Sequence, residues 1–191
     1  MAEKETLLKA LAQSQKKMAL DVDMMKTPSL FEPLYAEGHF ILGKTIFLQS
    51  KTYHGKSGVY VLDVFQTKKG QFLLIQRGWS PRELTAPPRE NMRIEGVARM
   101  PSSPGYFQPA NKPPTYFWLD LKALSKDLAL ILLPYYLVAK SSNDPRIYPT
   151  EPIPKPSNNH LEYAITWYSL AFALLCMLLW NGKKYFRKER S

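Results

Sequence analysis

The sequence predicts an α+β membrane protein, in which a β-rich, barrel-like or sandwich domain outside the cytoplasm is followed by a C-terminal transmembrane helix. Three observations predict this fold class: an uncharged run of eighteen residues near the C-terminus, basic residues directly after it, and strand-like patterns in the middle of the chain. Their order predicts five segments: an N-terminal amphipathic helix (1–26), a β-rich domain (27–140), a proline-rich stalk (141–159), the membrane helix (160–182) and a basic cytoplasmic tail (183–191).

The membrane helix is predicted from the run Tyr163 to Trp180, which carries no formal charge. Eighteen helical residues span about 27 Å, close to the thickness of a bilayer hydrocarbon core. Five basic residues follow at once: Lys183, Lys184, Arg187, Lys188 and Arg190. Because such a cluster marks the cytoplasmic or matrix side of a membrane, the rest of the chain is expected on the other side. A buried core helix is the alternative, and the basic flank argues against it.

The N-terminal residues 3–20 place Leu7, Leu11 and Met18 at helical spacing, which predicts an amphipathic helix. No signal peptide or apolar run precedes this helix in the numbered sequence, so export of the domain needs an explanation. Either the C-terminal helix inserts alone and translocates the long N-terminal portion, or a first membrane helix lies upstream of Met1. The family resemblance described below favours the second explanation.

Strand patterns follow an extended approach over residues 27–38. The run His39 to Gln49 is apolar but interrupted by Gly43, which predicts a bulged or bent strand. Val59 to Gln66 and Gln71 to Gln76 flank a four-residue link that ends in glycine, which predicts a β-hairpin. Because both strands carry apolar residues at successive positions, they are expected to be buried on both faces.

Arg77, Gly78 and Trp79 follow this hairpin as a candidate signature. Glycine permits a backbone turn, tryptophan offers a large apolar surface, and Pro81 stops strand pairing. The structural interpretation is a strand-ending corner that plugs the core, and a partner-facing role is the functional alternative.

The second half of the domain is predicted as a series of short elements. They are a half-exposed strand at 91–100, a proline-rich loop at 101–114, a short strand at 115–119, a helix capped by Asp120 that runs through Ser125, a short helix at 128–133 and a final core strand at 135–139.

Composition excludes several classes of function. The net charge is +10, of which +4 belongs to the C-terminal tail, and the remaining +6 is diffuse and favours anionic lipid or an acidic partner. No basic run is interleaved with aromatics, so nucleic acid is not an expected partner. Cys176 is the only cysteine, which excludes an intrachain disulfide and a cysteine-pair metal site. The sequence lacks phosphate-loop and hydrolase motifs, so it does not support an enzyme.

His160 is the histidine with a candidate ligand role, whereas His39 and His54 are interpreted as structural. On a helix, His160 shares a face with Ala164 and Trp167, at spacings of four and seven residues. Imidazole is an iron ligand, small residues leave room for a flat macrocycle, and an aromatic ring can pack against it. Haem ligation at His160 is therefore physically reasonable, and a hydrated interfacial histidine is the alternative.

The order of several motifs resembles the Surfeit-locus-one family of cytochrome c oxidase assembly factors. The matching stretches are EGHF at 37–40, GKSGVYVLDVF at 55–65, GQFLLIQRGWSP at 70–81, IEGVARMP at 94–101, YFQPANKP at 106–113 and NNHLEYAITWYSLA at 158–171. The most specific stretch is the last one, which opens the membrane helix. The resemblance covers nearly the whole chain.

This resemblance implies two membrane helices with a β-rich domain between them. The family has its first membrane helix just before a segment similar to 2–11, so that helix is missing from this numbering. The implied role is to assist maturation of the oxidase catalytic subunit by supplying or stabilising haem a. The implied partners are that subunit, other assembly factors and membrane lipid. Lack of an Arg-rich transit peptide favours a bacterial inner membrane over a mitochondrial one, with the main domain periplasmic and the tail cytoplasmic.

Site residues are carried over from the resemblance motif by motif. His160 is the expected haem-iron ligand, with Ala164 and Trp167 shaping the pocket. Arg77, Gly78 and Trp79 form the signature corner. Tyr163 lies in the motif that opens the helix and is grouped with this corner as a structural or partner-contacting residue.

Two other function classes stay open from the sequence. One is a structural protein that clamps the immature oxidase subunit without binding haem. The other is a membrane-bound enzyme such as a haem-modifying oxygenase, which would need several histidine or carboxylate ligands that the sequence lacks.

Overall fold

A β-rich domain and one long apolar helix make up the structure, which is a computed structural model. It describes residues 18–25, 27–84, 90–105, 108–113, 115–151 and 160–188, without the side chains of His160 and of 181–188. The strands are β1 (Leu20–Asp21), β2 (Pro33–Tyr53), β3 (Lys56–Thr67), β4 (Phe72–Ser80), β5 (Met92–Arg99) and β6 (Leu132–Ala139); the helices are α1 (Leu121–Leu128), α2 (His160–Lys188) and a short 3-10 helix at Val22–Met24. The chain divides into two compact units, Met1–Ile153 and Pro154–Ser191.

Five strands pair in a closed ring. The order is β2, β3, β4, β6, β5 and back to β2, and β1 adds a short parallel pairing at the start of β2. The pairing of β4 with β6 is parallel and the other ring pairings are antiparallel. Ring closure is possible because β2 is long: residues 33–38 pair with β5, and residues 38–53 pair with β3. Of the two β architectures expected from the sequence, the structure is the barrel-like one.

The predicted bulge and hairpin are both present. The register of β2 against β3 shifts between Phe40 and Thr45, around Gly43 at φ +72°. The hairpin link is closed by a 2.9 Å hydrogen bond from the Gly70 N–H to the Thr67 carbonyl. The predicted strands are shorter than the observed ones, since β2 already begins at Pro33 and β4 continues past Gln76 to Ser80.

The two central strands are buried on both faces, as their apolar sequence predicts. Alternate residues of β3 and β4 enter two separate core clusters. Leu62 and Leu74 pack in the cluster that includes Leu124 of α1, whereas Phe65 and Leu73 pack in the other. The ring therefore has an apolar interior and a second apolar layer under α1.

The helix α1 starts as predicted and ends later. Asp120 Oδ1 accepts hydrogen bonds of 3.0 Å from the N–H groups of Lys122 and Ala123, which is an N-cap. The helix passes Ser125 and stops at Leu128, because Ala129 adopts a left-handed conformation at φ 53°.

Two short elements differ from expectation. Residues 128–133 do not form a separate helix, since β6 already begins at Leu132 and includes the exposed Pro134. Residues 115–119 form only isolated bridges, at Thr115 and Tyr116, rather than a strand.

The segments on either side of the domain also differ from expectation. Residues 1–17 of the predicted amphipathic helix lie outside the described residues, but residues 20–24 form β1 and the 3-10 helix, with Val22 fully buried. The predicted stalk is wrong for residues 141–151, which fold onto the barrel and bury Ile147. We call residues 141–151 the strap. The rest of the predicted stalk, 152–159, lies outside the described residues.

The C-terminal unit contains one long helix. Within α2, Leu161–Trp180 is long and apolar enough to cross a membrane, in agreement with the predicted helix at 160–182. The helix continues through the first basic residues to Lys188.

Candidate functional site

Arg77 occupies a β-bulge in β4. Gly78 pairs with Val61 and Gln76 pairs with Leu62, so Arg77 is the extra residue of β4 against β3. Such a bulge changes the direction of a side chain within a strand that would otherwise alternate strictly. Only 7% of the Arg77 side chain is exposed, and this cation therefore needs partners inside the fold.

Asp63 of β3 is the main partner of Arg77. Arg77 Nη1 donates to Asp63 Oδ2 at 3.0 Å, and the Thr45 hydroxyl donates to the other carboxylate oxygen. Asp63 is fully buried, and burial raises the pKa of its carboxyl above the ordinary value, while the Thr45 and Arg77 interactions partly offset that rise. The guanidinium also lies 5.4 Å from the centre of the Phe40 ring.

Asp144 of the strap lies on the other side of Arg77. Arg77 Nη2 is 3.7 Å from Asp144 Oδ2, an ion-pair distance that is too long for a hydrogen bond. Asp144 is held by Arg146, whose Nε and Nη2 donate at 2.9 and 2.7 Å. These hydrogen bonds lower the pKa of Asp144 to about 2. Four charges of alternating sign therefore connect the barrel interior to the strap.

Gly78 allows the strap to approach β4 closely. Its φ is +149°, and an added Cβ would lie 2.3 Å from the Tyr148 carbonyl oxygen. The backbones of Trp79 and Tyr148 exchange two hydrogen bonds of 2.8 Å beside it. Glycine at position 78 is therefore required both by this positive φ and by the contact with the strap, and not by a chain reversal.

Trp79 is buried within β4, which continues to Ser80, rather than at a strand-ending corner. The side chain is 2% exposed, and its indole Nε1 donates to the Lys51 carbonyl at 3.1 Å. Tyr53 stacks on it at a centroid distance of 5.4 Å, and the half-exposed Tyr148 ring lies 5.8 Å away. The indole also lies over Gly58, where an added Cβ would be 2.5 Å from Trp79 Cζ2.

The residues predicted to bind haem are on α2. His160 is the first residue of the helix, and its side chain is outside the described atoms. Ala164 and Trp167 follow on the same helix face. Trp167 is 63% exposed and Tyr163 is 69% exposed. Within the described ranges, no three His, Cys, Asp or Glu side chains form a group that could hold a metal ion.

Sequence reasoning missed the partners of Arg77. Asp63 had a usable signal, because a lone carboxylate inside the apolar run VYVLDVF needs a buried partner. Asp144, Arg146 and Tyr148 gave no such signal, since they lie in a proline-rich segment with no strand or helix periodicity.

Comparison with known proteins decides the family. A model of the SURF1 family matches residues 1–172 of the 191. The chain belongs to the SURF1 family. This membership confirms the resemblance seen in the sequence motifs, and the match includes both the Arg77 bulge and the first part of α2.

Curated SURF1 relatives are distant but cover most of the chain. A SURF1-like protein of Rickettsia bellii is 26% identical over 189 residues, covering 92% of this chain and 78% of the relative. A SURF1-like protein of Rickettsia prowazekii is 27% identical with the same coverage of both chains. Surfeit locus protein 1 of Homo sapiens is 28% identical over 199 residues, covering 88% of this chain and 64% of the human protein.

Proposed function

We propose that the chain is a membrane-anchored factor for the assembly of cytochrome c oxidase. SURF1 family membership implies a role in cytochrome c oxidase assembly, and the match over residues 1–172 is the observation that carries the proposal. The apolar segment Leu161–Trp180 supports membrane anchoring. The proposed location is a bacterial inner membrane, with the barrel in the periplasm and the basic tail in the cytoplasm.

The proposed contribution to assembly is the presentation of haem a to the catalytic subunit. His160 would hold the iron, and Ala164 and Trp167 would shape the adjoining helix face. This assignment is supported by the position of His160 at the start of α2 and by the helical spacing of the three residues. Haem a would become the prosthetic group of the oxidase, while the chain's own residues would orient the haem and limit its exposure to water.

Two measurements test the two levels of this proposal. Deleting the gene in its own host should lower cytochrome c oxidase activity, and restoring the gene should recover it. An unchanged oxidase activity would contradict the assembly role.

Purification from cells that make haem a then tests His160: the His160→Ala protein should lose the haem absorbance of the wild type. His54→Ala is a matched control, because His54 is exposed and belongs to the barrel.

A clamp that binds the oxidase subunit without haem is the second candidate function. It is favoured by the aromatic group around Trp79, where the Tyr148 side chain is 48% exposed next to the buried indole. Exposed aromatic residues over a packed base are common in protein interfaces. The clamp predicts a colourless protein that still co-purifies with the catalytic subunit, and that does so equally well when His160 is replaced.

A further inference from the structure

The turn that joins α1 to β6 presents an isoleucine to solvent. Ile131 is 90% exposed, more than any other large apolar side chain that the structure describes. Its neighbours Leu128 and Leu130 are half-buried and pack against the core cluster under α1. The turn is therefore held in place by its own leucines while its isoleucine projects outward.

The bulge of β2 extends this exposed apolar surface. Lys44 Nζ donates to the Leu128 carbonyl at 2.8 Å, which joins the bulge to the end of α1. Leu42 is 38% exposed, and Ile41 packs against the same core cluster as Leu128. We call these five apolar residues the apolar tip: Ile41, Leu42, Leu128, Leu130 and Ile131. A group of partly exposed apolar side chains is typical of a surface that contacts another apolar phase.

Two lysines flank the apolar tip. Lys44 lies in the bulge, and Lys126 is exposed on the last turn of α1. The acid beside them, Asp127, accepts a hydrogen bond from the Tyr116 hydroxyl at 2.9 Å. These three charges sum to +1 (2 − 1 = 1). A lysine at the edge of an apolar surface can extend its ammonium to a lipid phosphate while its methylene groups stay in contact with apolar atoms.

The neighbouring hairpin link adds no excess charge. Lys68 pairs with Glu37, and the Lys69 side chain and backbone both donate to Asp23. This end of the barrel is therefore only weakly positive, and its exposed surface is mainly apolar at the tip. Such a surface suits the boundary of a lipid bilayer, where apolar side chains meet acyl chains and lysines meet headgroups.

The strap runs along β4 toward the same end of the barrel. Tyr148 forms an antiparallel bridge with Trp79. Two residues later, the Thr150 hydroxyl accepts a hydrogen bond of 3.0 Å from Gln76 Nε2. Because Gln76 precedes Trp79 in β4, the strap runs from the end of β4 toward its start.

The apolar tip lies at the start of β4. Phe72, the first residue of β4, pairs with Leu132, which directly follows Ile131. The chain that leaves the strap is therefore directed toward the apolar tip. Eight residues, 152–159, join the described part of the strap to α2, and they reach at most about 28 Å when fully extended. A bilayer that holds α2 stays within that distance of the end of the strap.

We propose that the apolar tip contacts the surface of the bilayer. Ile131 enters the boundary between headgroups and acyl chains, and Lys44 and Lys126 face lipid phosphates. This inference rests on the proposed membrane anchoring by α2 and adds a second contact to it. A single helical anchor leaves the barrel free to rotate, whereas a second contact with lipid orients it.

The test uses the full chain in vesicles of phosphatidylcholine and phosphatidylglycerol. In a Cys176→Ser background, Ala129→Cys carries a fluorophore next to the intact Ile131. Ser57→Cys carries the same fluorophore at an exposed position, at the opposite end of β3 from the hairpin link. A nitroxide lipid labelled near its headgroup quenches fluorophores at the bilayer surface. We expect quenching to be roughly threefold or more stronger at position 129 than at position 57, because interfacial side chains enter the headgroup region.

Ile131→Glu tests the side chain that enters the bilayer. Because Ile131 is 90% exposed, the substitution leaves the packing of the barrel intact. Quenching at position 129 should then fall to the level at position 57. Thr52→Glu adds the same charge at an exposed position near Ser57 and should leave the quenching at position 129 unchanged.

Three results would overturn the proposal. Equal quenching at positions 129 and 57 would place the apolar tip in water. Undiminished quenching in Ile131→Glu would mean that Ile131 does not enter the bilayer. A blue-shifted emission at position 129 without quenching by lipid would show that a second copy of the chain covers the tip.

The native Cys176 separates this inference from the anchoring on which it rests. A fluorophore on Cys176, which is exposed on α2, should be quenched by a nitroxide placed deep in the acyl chains. Quenching at Cys176 without quenching at position 129 would contradict the lipid contact and leave the anchoring by α2 intact. No quenching at Cys176 would contradict both.

Discussion

Arg77 and Asp63 form a buried ion pair, with Arg77 Nη1 3.0 Å from Asp63 Oδ2 and side-chain exposures of 7% and 0%. Arg77→Met leaves the Asp63 carboxylate buried without its cation, so we expect the free energy of unfolding to fall by about 3–5 kcal/mol. Denaturant unfolding of the full chain, followed by circular dichroism, measures this loss. Asp63→Asn/Arg77→Met removes both charges and should lose less than Arg77→Met alone. Asp63→Asn alone completes the cycle, and a loss in the double variant equal to the sum of the two single losses would show that the two side chains are not coupled.

Gly78→Ala tests the close approach of the strap to β4. The new Cβ would lie 2.3 Å from the Tyr148 carbonyl oxygen, so the strap has to move. We expect a loss of about 1–3 kcal/mol in the free energy of unfolding, as for other overpacked sites. Gly70→Ala is the matched control, because Gly70 also has a positive φ, of +81°, and no atom of the described residues lies within 4 Å of a Cβ placed there. A Gly78→Ala protein as stable as the Gly70→Ala protein would contradict the described contact.

Protonation of Asp144 should lower the free energy of unfolding of the domain in acid. Its pKa in the folded state is lowered from 3.8 to about 2, chiefly by Arg146. Because the unfolded chain then binds protons more readily, this contribution is present above pH 3.8 and is lost as the pH falls toward 2. Asp63 contributes with the opposite sign, since its pKa is raised in the folded state.

Asp144→Asn should therefore reduce the fall in stability between pH 5 and pH 2.5, measured by denaturant unfolding at each pH. Arg146→Gln removes the other member of the pair and should reduce the fall in the same way. An acid dependence identical to that of the wild type in both variants would show that this pair does not contribute.

Trp79→Phe separates the packing of the indole from its hydrogen bond. Phenylalanine keeps an aromatic ring next to Tyr53 but leaves the Lys51 carbonyl without the 3.1 Å bond from Nε1. We expect a loss of about 1–3 kcal/mol, from the unpaired carbonyl and the smaller ring. Thermal unfolding followed by circular dichroism measures it. No change in the unfolding temperature would mean that the indole hydrogen bond is dispensable.

The proposed membrane orientation can be read from cysteine labelling. In a Cys176→Ser background, Ser102→Cys should react with an impermeant maleimide added from the periplasmic side. Ser191→Cys should react only after the membrane is permeabilised. The basic residues after α2 favour this arrangement, and the opposite labelling pattern would reverse it.

Local signals predicted much of the barrel but not its closure. Gly43 located the bulge in β2, and Gly70 located the hairpin link, because both positions need a positive φ. The pairing of β2 with β5 joins Leu34 to Gly96, and no local pattern encodes such a distant contact. The strap was missed for the same reason, since Tyr148 gains its backbone partner only when β4 is in place.

The candidate site was predicted to a similar extent. Arg77, Gly78 and Trp79 stood out from the sequence, but their partners Asp63 and Asp144 are defined only by the fold. The two carboxylates come from different segments and meet at one guanidinium. Sequence periodicity indicates which faces of a strand or helix are buried, but it does not indicate which charged side chains contact each other inside the fold.

Closure of the ring also sets an order of events in the living cell. Leu34 cannot pair with Gly96 until that residue, 62 positions later in the chain (96 − 34 = 62), has been synthesised. Before that, the unpaired edge of β2 can pair with other chains. Tyr148 is later still, and its bridge to Trp79 forms only after β4 and the strap are both available. Such distant pairings fold slowly. The fold of the domain can therefore be completed only after residue 148 has been synthesised, which is twelve positions before α2 begins (160 − 148 = 12). Completion of the domain and insertion of the proposed membrane helix therefore occur in the same stage of biosynthesis.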